Sequence, residues 1–287
     1  MDAVPVSEFP GRLYSDAGEP GLFLRSAVVE GKVKADVLLT HGFGEHSAKY
    51  AHVARFFAQH GYRLCGYDMR GHGHSPGQRG DIDRYETLLD DLDVVRKIHG
   101  LHDREEAPIF LYGHSFGGQV TLNYILQRRP AAVQGVIVSS PLVKLAFQPS
   151  RLKVLLANLM IKVWPSFTQG GPNDKSALTR DVAFLDSLPE PELLHHRVSA
   201  RMYREILAGA ASLREGASRF TLPLLVIQGS DDAIVSAPAA QAFYEAAGSA
   251  DKTMRMHPGM RHETQNETGR ETVLAEMVEW MDRHLPA

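Results

Sequence analysis

A serine set between glycines, in Gly113-His114-Ser115-Phe116-Gly117, is where this 287-residue chain first suggests chemistry. A serine hydroxyl is a poor nucleophile until a neighbouring base takes its proton. On a tight turn between a strand and a helix it is presented for attack, and flanking glycines let the two elements approach at the bend. The pattern alone is weak, since composition yields Gly-x-Ser-x-Gly in roughly one chain in ten of this length. Its setting strengthens it. Residues 108–112 form an apolar run that predicts a buried strand, and Gly118 to Gln127 predicts a helix.

The serine needs a base, and the base needs an acid that fixes its tautomer and stabilises its charged form. Two further polar clusters, each following an expected strand, supply candidates. Residues 252–257 lead into His257-Pro258-Gly259-Met260-Arg261-His262-Glu263, and residues 224–228 lead into Gly229-Ser230-Asp231-Asp232. His262, on the loop past the expected strand, is better placed than His257 at its end. Asp232, three residues beyond Gly229, is the first choice of acid, with Asp231 as the alternative. The chain order is then Ser, Asp, His. A tetrahedral oxyanion also needs backbone N–H donors. Phe116, directly after the serine, offers one, and Phe43 in His41-Gly42-Phe43-Gly44 offers the other. His72 and His74 make a His-x-His pair, but no third ligand cluster accompanies them at a recognisable spacing, so no metal is predicted.

The elements that would position these groups alternate. Strands are expected in residues 10–40 as a paired set (22–24 and 36–40 the clearest), then at 62–67, 108–112, 133–139, 224–228 and 252–257. Helices are expected at 47–60, 82–98, 118–127, 238–247 and 271–284, the second with Tyr85, Leu88, Leu89, Leu92, Val95 and Ile98 on its buried face. This predicts an α/β fold, a mostly parallel central sheet flanked by helices, with ligands at the carboxyl ends of its strands. Ser115, Asp232 and His262 each follow a strand.

The alternation fails once. Residues 141–220 contain no convincing strand and are too long for a plain loop. They are read as a helical cap inserted into a core made of residues 1–140 and 221–287. Within the cap, Leu152, Leu155, Leu156, Leu159, Met160 and Val163 form a helical stripe interrupted only by Lys153, Asn158 and Lys162. A helix apolar nearly all round is expected to be buried. One side, at Leu155 and Leu159, is also expected to line a tunnel for an acyl chain, and the other to meet a membrane or micelle.

The composition is that of a soluble globular protein, with 44% hydrophobic and 23% charged residues. A formal net charge of −3 gives no reason to expect nucleic acid as a partner. Cys65 is the single cysteine, which excludes an intrachain disulfide and predicts a buried thiol. Met1 to Pro5 lack the basic and apolar regions of a leader, and no apolar run reaches the roughly 18 residues of a spanning helix. The expected location is cytoplasmic, with peripheral membrane contact through the cap.

Taken together, several stretches resemble a known family. They are His41-Gly42-Phe43-Gly44-Glu45-His46-Ser47 with Tyr50, Asp68-Met69-Arg70-Gly71-His72-Gly73-His74-Ser75, Gly113 to Gly118, Gln228 to Asp232, and His262-Glu263 with Asn266-Glu267. In these the chain resembles the monoacylglycerol lipases of the α/β-hydrolase superfamily. The resemblance implies a capped α/β-hydrolase fold and cleavage of monoacylglycerols to fatty acid and glycerol through an acyl-enzyme, without metal or organic cofactor. Lysophospholipase or short-chain carboxylesterase activity on the same triad is the alternative. It implies Ser115 as nucleophile, Asp232 as acid, His262 as base, and Phe43 and Phe116 as oxyanion donors. Glu45 and Lys49 stand at positions the family uses near the polar end of its pocket, so they are expected to help receive glycerol. Two departures bear on the substrate. Phe43 is bulky where some relatives carry a small residue, and Lys49 replaces a frequent arginine and its bidentate fork.

Overall fold

The computed structural model describes residues 9–14, 21–102, 107–148, 156, 159–171 and 174–286. Ten strands are numbered in chain order: β1 Gly11–Tyr14, β2 Leu22–Ser26, β3 Ala35–Thr40, β4 Tyr62–Asp68, β5 Ile109–His114, β6 Val133–Ser139, β7 Thr168–Gly170, β8 Arg197–Ser199, β9 Leu224–Gly229 and β10 Lys252–His257. Eight form one sheet in the order β1-β2-β4-β3-β5-β6-β9-β10. From β4 to β10 every pairing is parallel, and β1 and β2 add an antiparallel edge. The mostly parallel sheet expected from the sequence is present. The first strands pair differently, however: β2 joins β4, and β3 lies on the far side of β4, at the centre.

Side-chain alternation explains why the sheet is covered on both faces. Along β3, Leu38 enters one hydrophobic cluster while Val37 and Leu39 enter the other. Leu111 opposes Phe110 and Tyr112 on β5, and Leu224 and Val226 oppose Leu225 and Ile227 on β9. Successive residues point to opposite faces, so a continuous apolar run gives a strand buried on both. On one face lie α2 (Tyr85–His102), α3 (Phe116–Arg128) and the Ala200–Gly216 helix; on the other lie α1 (Ala51–Gln59) and the Arg270–Arg283 helix. All six apolar residues expected on the inner face of α2 are buried.

The chain reverses its direction of travel across the sheet at β3. It steps from β3 to β4 through α1, then returns through α2 to β5, on the other side of β3. The carboxyl ends of β3 and β5 therefore adjoin at a topological switch point, where open parallel sheets form their crevice. The loop after β3 carries Phe43, and the turn after β5 carries Ser115.

Residues 141–220 are largely helix and loop, as expected, but they also contain the short antiparallel pair β7–β8. Ion pairs fasten the second half of this segment to the sheet-bearing part: Arg25 with Glu190, Arg180 with Glu267, and Arg270 with Asp181. The first half departs from expectation. Leu156 is 51% exposed, Leu159 56% and Val163 72%. The described helical residues 159–163 lie on the surface because no core cluster meets their apolar side chains. Leu152 and Leu155 lie outside the described residues. Cys65 is buried in β4.

Candidate active site

Ser115 sits between β5 and α3 with φ 55° and ψ −118°, a backbone conformation that non-glycine residues rarely adopt. The turn is closed by Ser115 N–H donating to Ser139 O at 2.9 Å and by Gln119 and Leu142 N–H donating to Ser115 O. Its glycines are sterically required. A β-carbon on Gly117 would stand 2.1 Å from Thr40 O, and one on Gly113 would stand 2.6 Å from Gly117 O. Although it occupies the N-cap position of α3, Ser115 makes no side-chain cap bond. Its hydroxyl instead lies 2.8 Å from His262 Nε2.

On the opposite side of the ring, His262 Nδ1 lies 2.8 Å from Asp232 Oδ2. Asp232 is the better acid for a local reason. Ile234 and Val235 N–H both donate to its Oδ1 at 2.9 Å, and Gln228 Nε2 donates to Oδ2. The loop after β9 thus folds around Asp232 and aims its free lone pair at His262. Asp231 is exposed and takes a bond from its neighbour Ser230. His257 faces Glu276, away from the serine. Ser140 Oγ donates to the His262 carbonyl at 2.6 Å and anchors the loop. Burial works to lower the His262 imidazole, but the Asp232 carboxylate outweighs it and raises the pKa above its ordinary value, with Glu263 and Glu45 adding to the rise. For Asp232, burial acts upward, and the facing imidazole prevails and holds it below the usual carboxylate range.

Phe43 and Phe116 are brought together, their rings edge-on at 5.9 Å. The first N–H groups of a helix have no intrahelical acceptor, which leaves Phe116 N–H available. Phe43 stands in a turn closed by Glu45 N–H on Gly42 O. Its ring also packs edge-on against His72 and His195, so its bulk forms a wall of the site. His195 N–H donates to Gly44 O at 3.0 Å, and a β-carbon at Gly44, where φ is +77°, would stand 2.1 Å from His195 O. That close approach lets residue 195 dock on the oxyanion loop. His72 and His74 part company: His72 is buried with His41 and His195, while His74 packs at a tilt against Phe23.

Glu45 and Lys49 are not open to a pocket. They are 6% and 5% exposed. Lys49 Nζ donates to Glu45 Oε1 at 2.6 Å and to Glu263 Oε1 at 2.5 Å. Glu45 Oε2 accepts from Gly42 N–H and from Tyr50 Oη, and Glu263 Oε2 accepts from Asn266 Nδ2. Burial pushes the Glu45 carboxyl up, but the Lys49 ammonium overrules it and holds it well below the usual range. Burial raises Glu263, and the nearby Glu45 charge adds to that rise against the pull of Lys49. Burial drives the adjoining His114 down to about 3, leaving it neutral. Ligand atoms of Glu45, His114 and Glu263 lie within 4.8 Å of one another, a spacing that suits a cation. The Lys49 ammonium already bridges both carboxylates. Sequence reasoning quoted Glu263 only as part of a motif; its partner Lys49 stands 214 residues away.

A groove of about 600 Å³ opens beside the elbow, with Leu142, Leu145 and Phe147 on one wall and Tyr203, Leu207 and Ala210 on the other. Leu142, one of its lining residues, donates its N–H to the carbonyl of Ser115. Lys144 and Arg214 stand among its described lining residues, and no carboxylate does. Leu159 is not among them.

Residues 31–269 match the family described as serine aminopeptidase, S33. An uncharacterized abhydrolase domain-containing protein of Dictyostelium discoideum is 34% identical over 92% of this chain, which spans only 28% of that protein. Monoglyceride lipase of Rattus norvegicus is 30% identical over 98% of this chain and 93% of its own length. Among solved structures, a soluble variant of monoglyceride lipase from Saccharomyces cerevisiae, in complex with a substrate analog, superposes with a TM-score of 0.86. It is 26% identical, over 100% of both chains.

Proposed function

We propose a monoacylglycerol hydrolase, on the premise that the chain belongs to the S33 serine hydrolase family of the α/β-hydrolase superfamily and groups there with monoglyceride lipases. The observation that carries the reading is the continuous relay Ser115 Oγ, His262 Nε2, His262 Nδ1, Asp232 Oδ2, with both hydrogen bonds at 2.8 Å. In this reading His262 takes the Ser115 proton as Oγ attacks the ester carbonyl. Phe43 and Phe116 N–H receive the oxyanion. The C–O bond to glycerol breaks, and His262 returns the proton to the departing alkoxide. His262 then deprotonates a water that attacks the acyl-enzyme, releasing the fatty acid and restoring the Ser115 hydroxyl.

The groove supports an ester with one apolar chain. Its volume lies within the roughly 300–1,000 Å³ of small-ligand sites, and its walls are mainly apolar. An aminopeptidase would need a carboxylate for the substrate's terminal ammonium. None stands among the groove's described lining residues, and Glu45 and Glu263 are paired with Lys49. The cap of this reading is residues 141–220, and its first stretch, residues 141–173, faces the lipid surface. That stretch, the lid, carries exposed Leu156, Leu159, Val163 and Trp164 together with Lys144, Arg151, Lys153 and Lys162, and it contains no Asp or Glu. That combination fits contact with an anionic lipid surface from which the substrate is drawn.

A fluorophosphonate probe tests the assignment. Wild-type protein should take one label, on Ser115, and Ser115→Ala should lose both label and hydrolysis of 1-oleoylglycerol. A label on another residue would contradict it.

A further inference from the structure

Two loops must be in register when the ester is attacked: the one presenting Phe43 N–H and the one presenting His262. They come from β3 and β10, at distant points of the chain. One buried side chain touches the supports of both. Lys49 Nζ reaches Glu45, whose other oxygen accepts Gly42 N–H beside Phe43. It also reaches Glu263, the residue that follows His262.

We propose that Lys49 is a positioning residue, a buried clamp that sets the oxyanion loop and the base loop at their working separation through Glu45 and Glu263. The proposal rests on the reading of Ser115, His262 and Asp232 as the catalytic triad.

Three observations support it. First, the geometry is closed at each end. Glu45 N–H bonds Gly42 O while Gly42 N–H bonds Glu45 Oε2, so the carboxylate completes the turn that orients Phe43. Without a side chain Gly42 admits that carboxylate; a β-carbon there would stand 2.9 Å from Oε2. At the far end Asn266 Nδ2 holds the second oxygen of Glu263 at 2.6 Å. Second, the trio is sealed. The side chains of Lys49, Glu45 and Glu263 are 6%, 8% and 1% exposed, so the ammonium stands inside the protein rather than on the surface an alcohol would reach. Third, the trio is unbalanced without its centre. Two carboxylates drawn to one cation would face each other across a low-dielectric space if it were removed, and like charges there repel strongly. Their separation would grow, and the loops they anchor would move with them.

The test compares Lys49→Met, Lys49→Arg and the neutral triple variant Glu45→Gln/Lys49→Met/Glu263→Gln. Each is assayed for kcat and KM on 1-oleoylglycerol and on p-nitrophenyl acetate, which contains no glycerol. Lys49→Met should lose kcat on the order of 10²-fold on both substrates, the scale expected when a catalytic group is misplaced by about 1 Å. KM should stay within about twofold. Lys49→Arg, which can reach both carboxylates with its fork, should stay within about fivefold of wild type. The triple variant should regain Tm, because no buried charge is left unpaired, while kcat remains low. A loss confined to KM for 1-oleoylglycerol would overturn the clamp in favour of alcohol binding. Recovery of kcat together with Tm would reduce the trio to a stability element and overturn it as well. If Lys49→Met does not fold, Glu263→Gln serves on the same readouts: a kcat fall of about tenfold at unchanged KM is expected, and unchanged kcat overturns the proposal. Fluorophosphonate labelling of wild-type Ser115 separates the two layers. An unlabelled Ser115 contradicts the triad itself, whereas a labelled Ser115 with Lys49→Met at full kcat contradicts only the clamp.

Discussion

His262 is buried between Ser115 and Asp232, and in the proposed mechanism its titration should govern the acid side of activity. Only the neutral imidazole accepts the Ser115 proton. Its pKa is raised above 6.5, so hydrolysis should fall as pH drops through a value higher than that of a free imidazole. In Asp232→Asn the facing negative charge is gone. The acid limb of kcat/KM should then move to lower pH, and kcat should fall about 10³–10⁴-fold through loss of the productive tautomer. A pH–rate profile of wild type and variant checks both, and an unmoved limb would show that another group sets it. At this scale the sequence was readable where function forces a local pattern. The elbow glycines are required because Thr40 O and Gly117 O leave no space for a β-carbon. Spacing favoured Asp232 over Asp231, but only the backbone bonds from Ile234 and Val235 explain why it turns inward. The pairing of Lys49 with Glu263 had no local sign, because each is an ordinary charged residue until the fold joins them.

Strands and the helices packed on them were legible because burial on both faces leaves long apolar runs, and burial on one leaves a helical stripe. The α2 stripe from Tyr85 to Ile98 is an example. Three-residue strands such as β7 and β8 carry too little pattern to read. The stripe around Leu159 misled for a different reason. Apolarity predicts a partner surface, and among the described residues that surface is not supplied by the chain. In the proposed reading the acyl wall comes instead from the Ala200–Gly216 helix, where Tyr203, Leu207 and Ala210 share one face at three- and four-residue spacing. Leu207→Asp should therefore lose activity on long-chain esters by roughly 10²-fold, equivalent to about three methylene groups no longer buried at about 0.8 kcal/mol each. Its rate on acetate esters should be unchanged. Equal loss on both would show that the groove does not hold the chain.

For the whole molecule, a net charge of −3 conceals a segment, residues 141–173, with four cations, no anions and exposed large apolar side chains, which is the lid of the proposed reading. No helix among the described residues is long and apolar enough to cross a membrane. In the proposed reading a lipid surface meets the exposed apolar and the cationic side chains of residues 141–173. The protein should sediment with vesicles containing phosphatidylglycerol, less so in high salt. Val163→Glu/Trp164→Ser should release it while p-nitrophenyl acetate is still hydrolysed at the wild-type rate; unchanged sedimentation would contradict the lid's role. The central claim joins triad, groove and lid in one activity, and a single substrate panel tests it most directly. Initial rates are measured on 1- and 2-monoacylglycerols of graded chain length, with diacylglycerols, lysophospholipids and acetate esters alongside and Ser115→Ala as the blank. Long-chain monoacylglycerols should give the highest kcat/KM and the blank no turnover. Faster cleavage of lysophospholipids or acetate esters, or turnover by Ser115→Ala, would contradict it.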